Sequence, residues 1–321
     1  MTPRLHLLAT GGTIAMRHDA AAGGNVPALD GAALLALAPG LAGLATVTVE
    51  DWARLPAVHV GADRLWALRE RVRAIAAAGT CDALLVTHGT DTLEETAALL
   101  ARTVAGDLPI VVTGAMRTSS DPDWDGPRNL LDAARVATDP GARGRGALVV
   151  FAGRILPGLQ AVKTEATAVP AFEAPHGAPV GEVAEGVVRW LAPPAAPAVV
   201  APRDLSARVA IVPLLPGDDG FLLEAALPRF DGVVIVSYGS GNTPPGAIPA
   251  VRRWLAAGKP VVLATRCARG EVTPAYAFEG GSARMLELGC IPAGPRTPWQ
   301  ARLELQVALG AGVPYGAGTR A

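Results

Sequence analysis

Short aliphatic runs that break at a glycine recur along this chain. They are Leu5 to Thr10 before Gly11-Gly12, Ala83 to Thr87 before His88-Gly89, Ile110 to Thr113 before Gly114, and Ala147 to Phe151 before Gly153. Longer segments lie between or beside them, Asp63 to Ala78, Leu93 to Ala105 and Arg128 to Thr138, where apolar and charged residues share a helical period. An apolar run of four to six residues bounded by turn residues predicts a strand buried on both faces. Alternation of such runs with amphipathic helices predicts βαβ units around a mostly parallel sheet.

The alternation stops between Leu191 and Pro202, where Pro193, Pro194, Pro197 and Pro202 stand among alanines. Prolines at that spacing cannot hold a regular helix. Strand-like runs resume at Val209 to Val212, Val233 to Val236 before Gly239, and Val261 to Ala264. The expectation is therefore an α/β protein of two domains. The larger N-terminal one, residues 1–191, has a mostly parallel sheet flanked by helices. A linker over 192–206 leads to a smaller flavodoxin- or Rossmann-like α/β domain over 207–321.

Composition narrows the function classes. Half of the 321 residues are hydrophobic and 18% are charged, so a sizeable core is available. A net charge of −1 leaves no basic stripe for nucleic acid. The cluster Arg69-Glu70-Arg71-Val72-Arg73 reads as a solvated helix face. Cys81, Cys267 and Cys290 are odd in number and widely spaced, which supports neither a disulfide framework nor a zinc site. Free thiols suit a reducing compartment, and no charge-free stretch reaches membrane-spanning length. The chain reads as a cytoplasmic protein with no nucleic-acid or membrane partner.

Two of the glycine turns carry hydroxyls: Thr10-Gly11-Gly12-Thr13-Ile14-Ala15 and Thr87-His88-Gly89-Thr90-Asp91-Thr92-Leu93-Glu94-Glu95-Thr96. Ligands of open α/β sheets bind beyond the carboxyl ends of the strands, which is where these turns must lie. Glycines allow close approach of the backbone and aim N–H groups at a ligand. The first turn is neither GxGxxG nor a Walker loop, so a nucleotide site is poorly supported. In the second, Thr92 and Glu95 have capping-box spacing, which predicts a helix from about Leu93. Thr90 and Asp91 would then sit just ahead of a helix N-terminus, a favourable place for a carboxylate. On spacing alone, an ordinary tight turn and a set of capping residues remain the plainer readings.

Taken together, in this order, the two stretches closely resemble the signature segments of bacterial-type L-asparaginases. The likeness continues through Gly114-Ala115-Met116-Arg117, Asp125-Gly126-Pro127-Arg128-Asn129-Leu130, Ala161-Val162-Lys163-Thr164 and Gly239-Ser240-Gly241-Asn242. The resemblance implies an amidohydrolase that converts L-asparagine to L-aspartate and ammonia through an acyl-enzyme, with no organic cofactor and no metal. Thr13 and Thr90 match the two catalytic threonines, and Asp91 and Lys163 complete a Thr90–Lys163–Asp91 triad. Such a triad answers a physical need, because a threonine hydroxyl is a poor nucleophile without a base in hydrogen-bond reach. Gly12, Gly89, Thr90, Asp91, Ala115 and Asn242 are the implied substrate-binding residues, with backbone N–H groups around Gly89 and Ala115 as oxyanion donors. Asn242 matches an asparagine that reaches a neighbouring subunit's site, which implies a homodimer or homotetramer.

Three departures from the family pattern stand out. The loop Met16 to Pro27 lacks the usual tyrosine; Gly23-Gly24 suggests a mobile lid, and His18 or Asp19 is a candidate replacement. Ala57 and Val58 occupy the places of a serine and a glutamine that hold the substrate's α-carboxylate and amine. The glutamate that relatives contribute from the second domain has no clear match, Glu271 and Glu279 both lying in the region. Two further readings follow. One is an amidase for another small amide, such as glutamine, D-asparagine or a non-amino-acid amide. The other is a catalytically silent small-molecule binding protein. His88 reads as a structural histidine.

Overall fold

The computed structural model describes residues 2–317 and separates into two compact units that divide between Val199 and Val200. The first unit opens with β1 (Arg4–Gly11), a hairpin of β2 (Met16–Asp19) and β3 (Gly24–Pro27), α1 (Gly31–Ala36) and β4 (Thr46–Leu55). It continues with α2 (Ala62–Ala78), β5 (Ala83–Thr87), α3 (Leu93–Thr103), β6 (Ile110–Thr113), α4 (Gly126–Thr138) and β7 (Ala147–Phe151). Strands complete it: β8 (Arg154–Pro157), β9 (Val162–Lys163), β10 (Phe172–Glu173), β11 (Gly181–Ala184) and β12 (Val187–Trp190).

The main sheet has the order β12-β11-β8-β7-β6-β5-β1-β4. The strands from β7 to β4 are parallel, and β8, β11 and β12 extend it antiparallel. Every residue of β5, β6 and β7 is buried. Helices cover both faces, so these strands need apolar side chains on each side and read as unbroken runs. β4 at the edge alternates exposed and half-buried positions, and for that reason it escapes the run criterion.

Leu5, Leu7, Leu85, Val111 and Val150 face the layer of α1 and α4. Leu8, Leu84, Val86, Val112 and Val149 face α2 and α3. This placement fixes the hand of each crossover. β1–α1–β4 steps one way across the sheet with its helix on the first face. β4–α2–β5 and β5–α3–β6 step the other way with theirs on the second face, so all three share one hand. β6–α4–β7 steps in the same direction as β5–α3–β6 but puts its helix on the opposite face, so its hand is opposite. Nearly all such connections are right-handed, which makes β6–α4–β7 the left-handed exception. It places the first turn of α4 behind the loop that follows β6.

The Pro–Ala stretch has neither helix nor strand, yet it is held to the first unit by two buried guanidinium groups. Arg145 donates to Gly141 O, Ala192 O and Pro193 O at 2.6, 2.9 and 3.1 Å and stacks on Trp190. Arg102 donates to Ala198 O. Hydrogen bonds from a buried cation to carbonyls offset part of the penalty of leaving water.

The second unit contains β13 (Val209–Pro213), α5 (Phe221–Ala226), β14 (Gly232–Ser237), α6 (Ile248–Ala256), β15 (Val261–Thr265), α7 (Ser282–Glu287), β16 (Ile291–Pro292) and α8 (Pro298–Ala311). Its sheet is parallel throughout, in the sequential order β13-β14-β15-β16. Crossovers of one hand running one way put their helices on one face. Leu223, Val251, Trp254 and Met285 of α5, α6 and α7 accordingly share one core layer, and Ala301 and Leu305 of α8 close the other. Among the described residues no helix is long and apolar enough to cross a membrane.

Candidate active site

Strand order reverses once in the first unit: β1 leads to β4 on one side, and the chain then crosses back to set β5 on the other. A reversal of this kind leaves a crevice at the carboxyl ends of the two central strands, here β1 and β5. The turns Gly11 to Thr13 and His88 to Asp91 both emerge there. Ala9 is in register with Thr87, and the Thr10 hydroxyl donates to Thr87 O at 2.8 Å. A methyl group on Gly12, whose φ is 83°, would lie 2.3 Å from both N and Cα of Gly89. The two turns therefore touch backbone to backbone, a contact open only to glycine. Thr13 and Thr90 are each the next residue after that contact. Gly114 closes in as well, since a methyl there would meet His88 O at 2.4 Å.

Lys163 reaches this crevice from β9. Its Nζ donates to Thr90 Oγ1 at 2.9 Å and to Asp91 Oδ1 at 2.8 Å. Thr90 is buried, the Lys163 side chain is 17% exposed, and Asp91 at 59% stands at the rim. A hydroxyl bonded to a lysine nitrogen that a carboxylate orients has the parts of an activated nucleophile. The lysine is itself tied down, because its backbone N–H donates to Glu94 Oε2 at 2.6 Å. Glu94 is buried in the first turn of α3, and burial pushes its carboxyl up to about 7.

α4 organises the third turn. Asp125 accepts the N–H groups of Met116 and Arg117 at 3.0 and 2.9 Å. Asn129 donates to Gly114 O at 3.0 Å and to Asp125 Oδ2 at 2.9 Å, and its Oδ1 accepts Ala152 N–H at 3.0 Å. Both side chains are buried, where an unmade hydrogen bond would cost about 1–3 kcal/mol. The sequence shows Asp125 and Asn129 as part of a motif but gives them no work, and it treats Glu94 only as a helix residue. Their use depends on the left-handed crossover and on the return of β9, neither of which a local pattern encodes. His88 is fully buried, its ring bonded to Gly89 O at 2.9 Å and Thr96 Oγ1 at 3.0 Å, and desolvation lowers its pKa. It holds the turn together.

Some expectations change. α3 does begin at Leu93, but Thr92 makes no capping bond; its hydroxyl donates to Ala57 O at 3.1 Å. The helix start is thus traded for a tie between two loops. The Met16 to Pro27 segment is a paired β2–β3 hairpin, tied by Ser119 to Met16 O and by His18 N–H to Ser120 Oγ. Asp19 accepts the N–H groups of Ala21 and Ala22 within the hairpin's own turn. That occupies its carboxylate and lowers its pKa. Gly12 N–H is bonded to Leu55 O at 3.0 Å, so what Gly12 brings to the crevice is close backbone contact. Ala57 is buried, with a methyl on Gly89 placed 2.7 Å from its Cβ, and Val58 is exposed. Ala115 is fully buried. Asn242 lies in the second unit, in the turn after β14, where its Oδ1 accepts Ser282 N–H at 3.2 Å. No cluster of three or more His, Cys, Asp or Glu able to hold a metal ion occurs among the described residues.

A lysine-linked threonine at the switch point of an α/β sheet is an arrangement suited to hydroxyl-nucleophile chemistry. Two family descriptions match the chain, "Asparaginase, N-terminal" over residues 4–196 and "Glutaminase/Asparaginase C-terminal domain" over 208–316. The chain is 41% identical to a "Probable L-asparaginase" of Deinococcus radiodurans, covering 97% of this chain and 94% of that one. It is 30% identical to "L-asparaginase 2" of Escherichia coli, over 96% of this chain and 89% of that one. A crystal structure described as a probable cytoplasmic L-asparaginase from Campylobacter jejuni superimposes with a TM-score of 0.83 at 29% identity, covering 96% and 95% of the two chains. The chain belongs to the asparaginase family.

Proposed function

We propose that this protein hydrolyses the side-chain amide of L-asparagine to L-aspartate and ammonia by threonine nucleophile catalysis. The observation that carries the reading is the line Thr90 Oγ1–Lys163 Nζ–Asp91 Oδ1, at 2.9 and 2.8 Å, beside the turn that bears Thr13. A threonine Oγ adds to the amide carbon and gives up its proton, Thr90 passing it to Lys163. The C–N bond breaks and nitrogen leaves as ammonia, carrying that proton. Water then splits the acyl ester to release the acid and restore the hydroxyl. The N–H groups of Gly89 and Ala115 are the donors suited to the developing oxyanion, since fixed backbone dipoles often supply the largest catalytic contribution. Gly12 sets the distance between the two threonines. Asn242 belongs to the proposal as a residue offered to a neighbouring subunit in a homodimer or homotetramer. A cytoplasmic site of action is part of the same reading, supported by three unpaired cysteines.

A second reading keeps the chemistry and changes the amide. Ala57 is buried and Val58 carries no polar group, so two places able to hold charged groups of an amino-acid substrate are apolar. Ammonia release from L-Asn, D-Asn, L-Gln and simple amides, with Thr13→Ala and Thr90→Ala alongside, tests both readings. Release from L-Asn that both substitutions abolish is the expected result. Release only from another amide selects the second reading, and no release from a folded protein sinks both in favour of a silent binder.

A further inference from the structure

Glu94 is the second residue of α3, but its side chain is turned inward and buried rather than set in water. Its Oε2 takes the Lys163 backbone N–H at 2.6 Å, a short bond for an N–H donor. The segment it holds is a short one, packed into the core through Ala161 and Phe172. β9 is two residues long and, among the described residues, forms a two-stranded sheet with the two residues of β10. The working nitrogen of Lys163 lies at the end of a flexible side chain, so its place beside Thr90 is only as firm as the backbone beneath it. Misplacement of a reacting group by about 1 Å can slow a reaction about a hundredfold.

We propose that Glu94 is the positioning residue that fixes the Lys163 backbone, and through it the Nζ–Thr90 contact, and that protonation of its carboxylate loosens the contact. This rests on the reading that Lys163 serves Thr90. The proton exchanges in a useful range, because burial carries the carboxyl up to about 7, with Glu95 adding to the rise and Lys163 opposing it through its N–H and its charge. Lys163 faces Glu94 from β9 and Glu95 flanks it on its own helix. Asp91, in the turn ahead of the helix, accepts from the Nζ of the same lysine. His88, which meets Thr96 two residues further along α3, is fully buried with its pKa lowered. An ordinary glutamate would stay ionised across this range and would impose no such dependence.

The test is kcat and KM for L-Asn from pH 5.5 to 8.5 in the full-length wild type, Glu94→Gln, Glu94→Ala and Lys163→Ala, with circular dichroism and melting temperature for each. Wild-type kcat is expected to fall on the acid side with a midpoint near 7. Glutamine keeps an acceptor but cannot titrate, so Glu94→Gln should lose about tenfold at pH 8 and lack that acid limb. Glu94→Ala should lose about a hundredfold. KM should stay within about twofold in both, since the buried Glu94 carboxylate is engaged by the Lys163 backbone. If Glu94→Gln keeps the wild-type rate and acid limb while Lys163→Ala is dead, the inference falls and the triad stands. If Lys163→Ala retains the wild-type rate, both fall. A purely structural role for Glu94 would lower the melting temperature and leave the shape of the pH profile unchanged, which also overturns the inference.

Discussion

Both units place a turn rich in glycine and hydroxyls at the carboxyl end of a central parallel strand. In the first, Gly12-Thr13 and Gly89-Thr90-Asp91 follow β1 and β5. In the second, Gly239-Ser240-Gly241-Asn242-Thr243 follows β14. Only the first has the parts of an activated nucleophile. Its strand order reverses between β1 and β5, so two turns from distant parts of the chain converge, and β9 then returns a lysine to them. The second sheet runs in sequential order, with no reversal and hence no switch-point crevice. Its turn closes on itself through Tyr238 and Asn242 and spends Asn242 Oδ1 on Ser282. The Ser240 and Thr243 hydroxyls are buried there with no hydrogen-bond partner among the described residues. The difference between the two turns is a lysine delivered by a separate segment, the base of the proposed mechanism.

The sharpest way to break this comparison is to remove the delivered lysine or its threonine partner. Thr90→Ala and Lys163→Ala should each cut ammonia release from L-Asn at least about a thousandfold, as removal of a catalytic nucleophile or base does. Ser240→Ala should leave the rate within about threefold, because its hydroxyl has no hydrogen-bond partner among the described residues. Comparable losses from all three would erase the distinction between the turns.

Next in size are the glycines. Gly12→Ala meets Gly89 backbone at 2.3 Å with φ at 83°, so overpacking and left-handed strain together should destabilise the fold by about 2–4 kcal/mol. Gly239, with φ at 52°, has open space where its methyl would go; only the conformational strain of about 1 kcal/mol applies. Urea unfolding of the two variants gives both values. Equal losses would mean that the interlocked turns are no tighter than the lone one.

A smaller effect should appear in stability against pH. Folding raises the Glu94 carboxyl from 4.5 to about 7. The stability associated with its neutral form is therefore complete below about 4.5 and is lost as pH rises through 7. Glu94→Gln escapes that loss, so its stability relative to wild type should grow by up to about 3 kcal/mol between pH 4.5 and 8. The same variant is expected to be slower, which would make Glu94 a residue kept at some expense of stability. A difference that stays flat over this range in urea titrations would remove the buried-carboxylate account. The smallest effect concerns specificity: Ala57→Ser should lower KM for L-Asn about tenfold, the worth of one hydrogen bond to a charged group. An unchanged KM would favour a substrate that lacks that group.

The sequence by itself determined the elements that are buried on both sides. β5, β6 and β7 begin and end where their aliphatic runs do, and α3 starts at Leu93, because double burial and helix periodicity leave local marks. It also displayed the two threonine motifs, and the resemblance set Asp91 and Lys163 beside them. The tertiary structure decided what those residues meet. The edge strand β4, the β2–β3 hairpin, the left-handed β6–α4–β7 crossover and the strap made by Arg102 and Arg145 all depend on partners far away in sequence. Glu94 shows the reason most plainly. In sequence it is one of two adjacent glutamates at a helix start, where a carboxylate usually meets water and the helix dipole. Only the return of β9, 69 positions later, turns it into the anchor of Lys163.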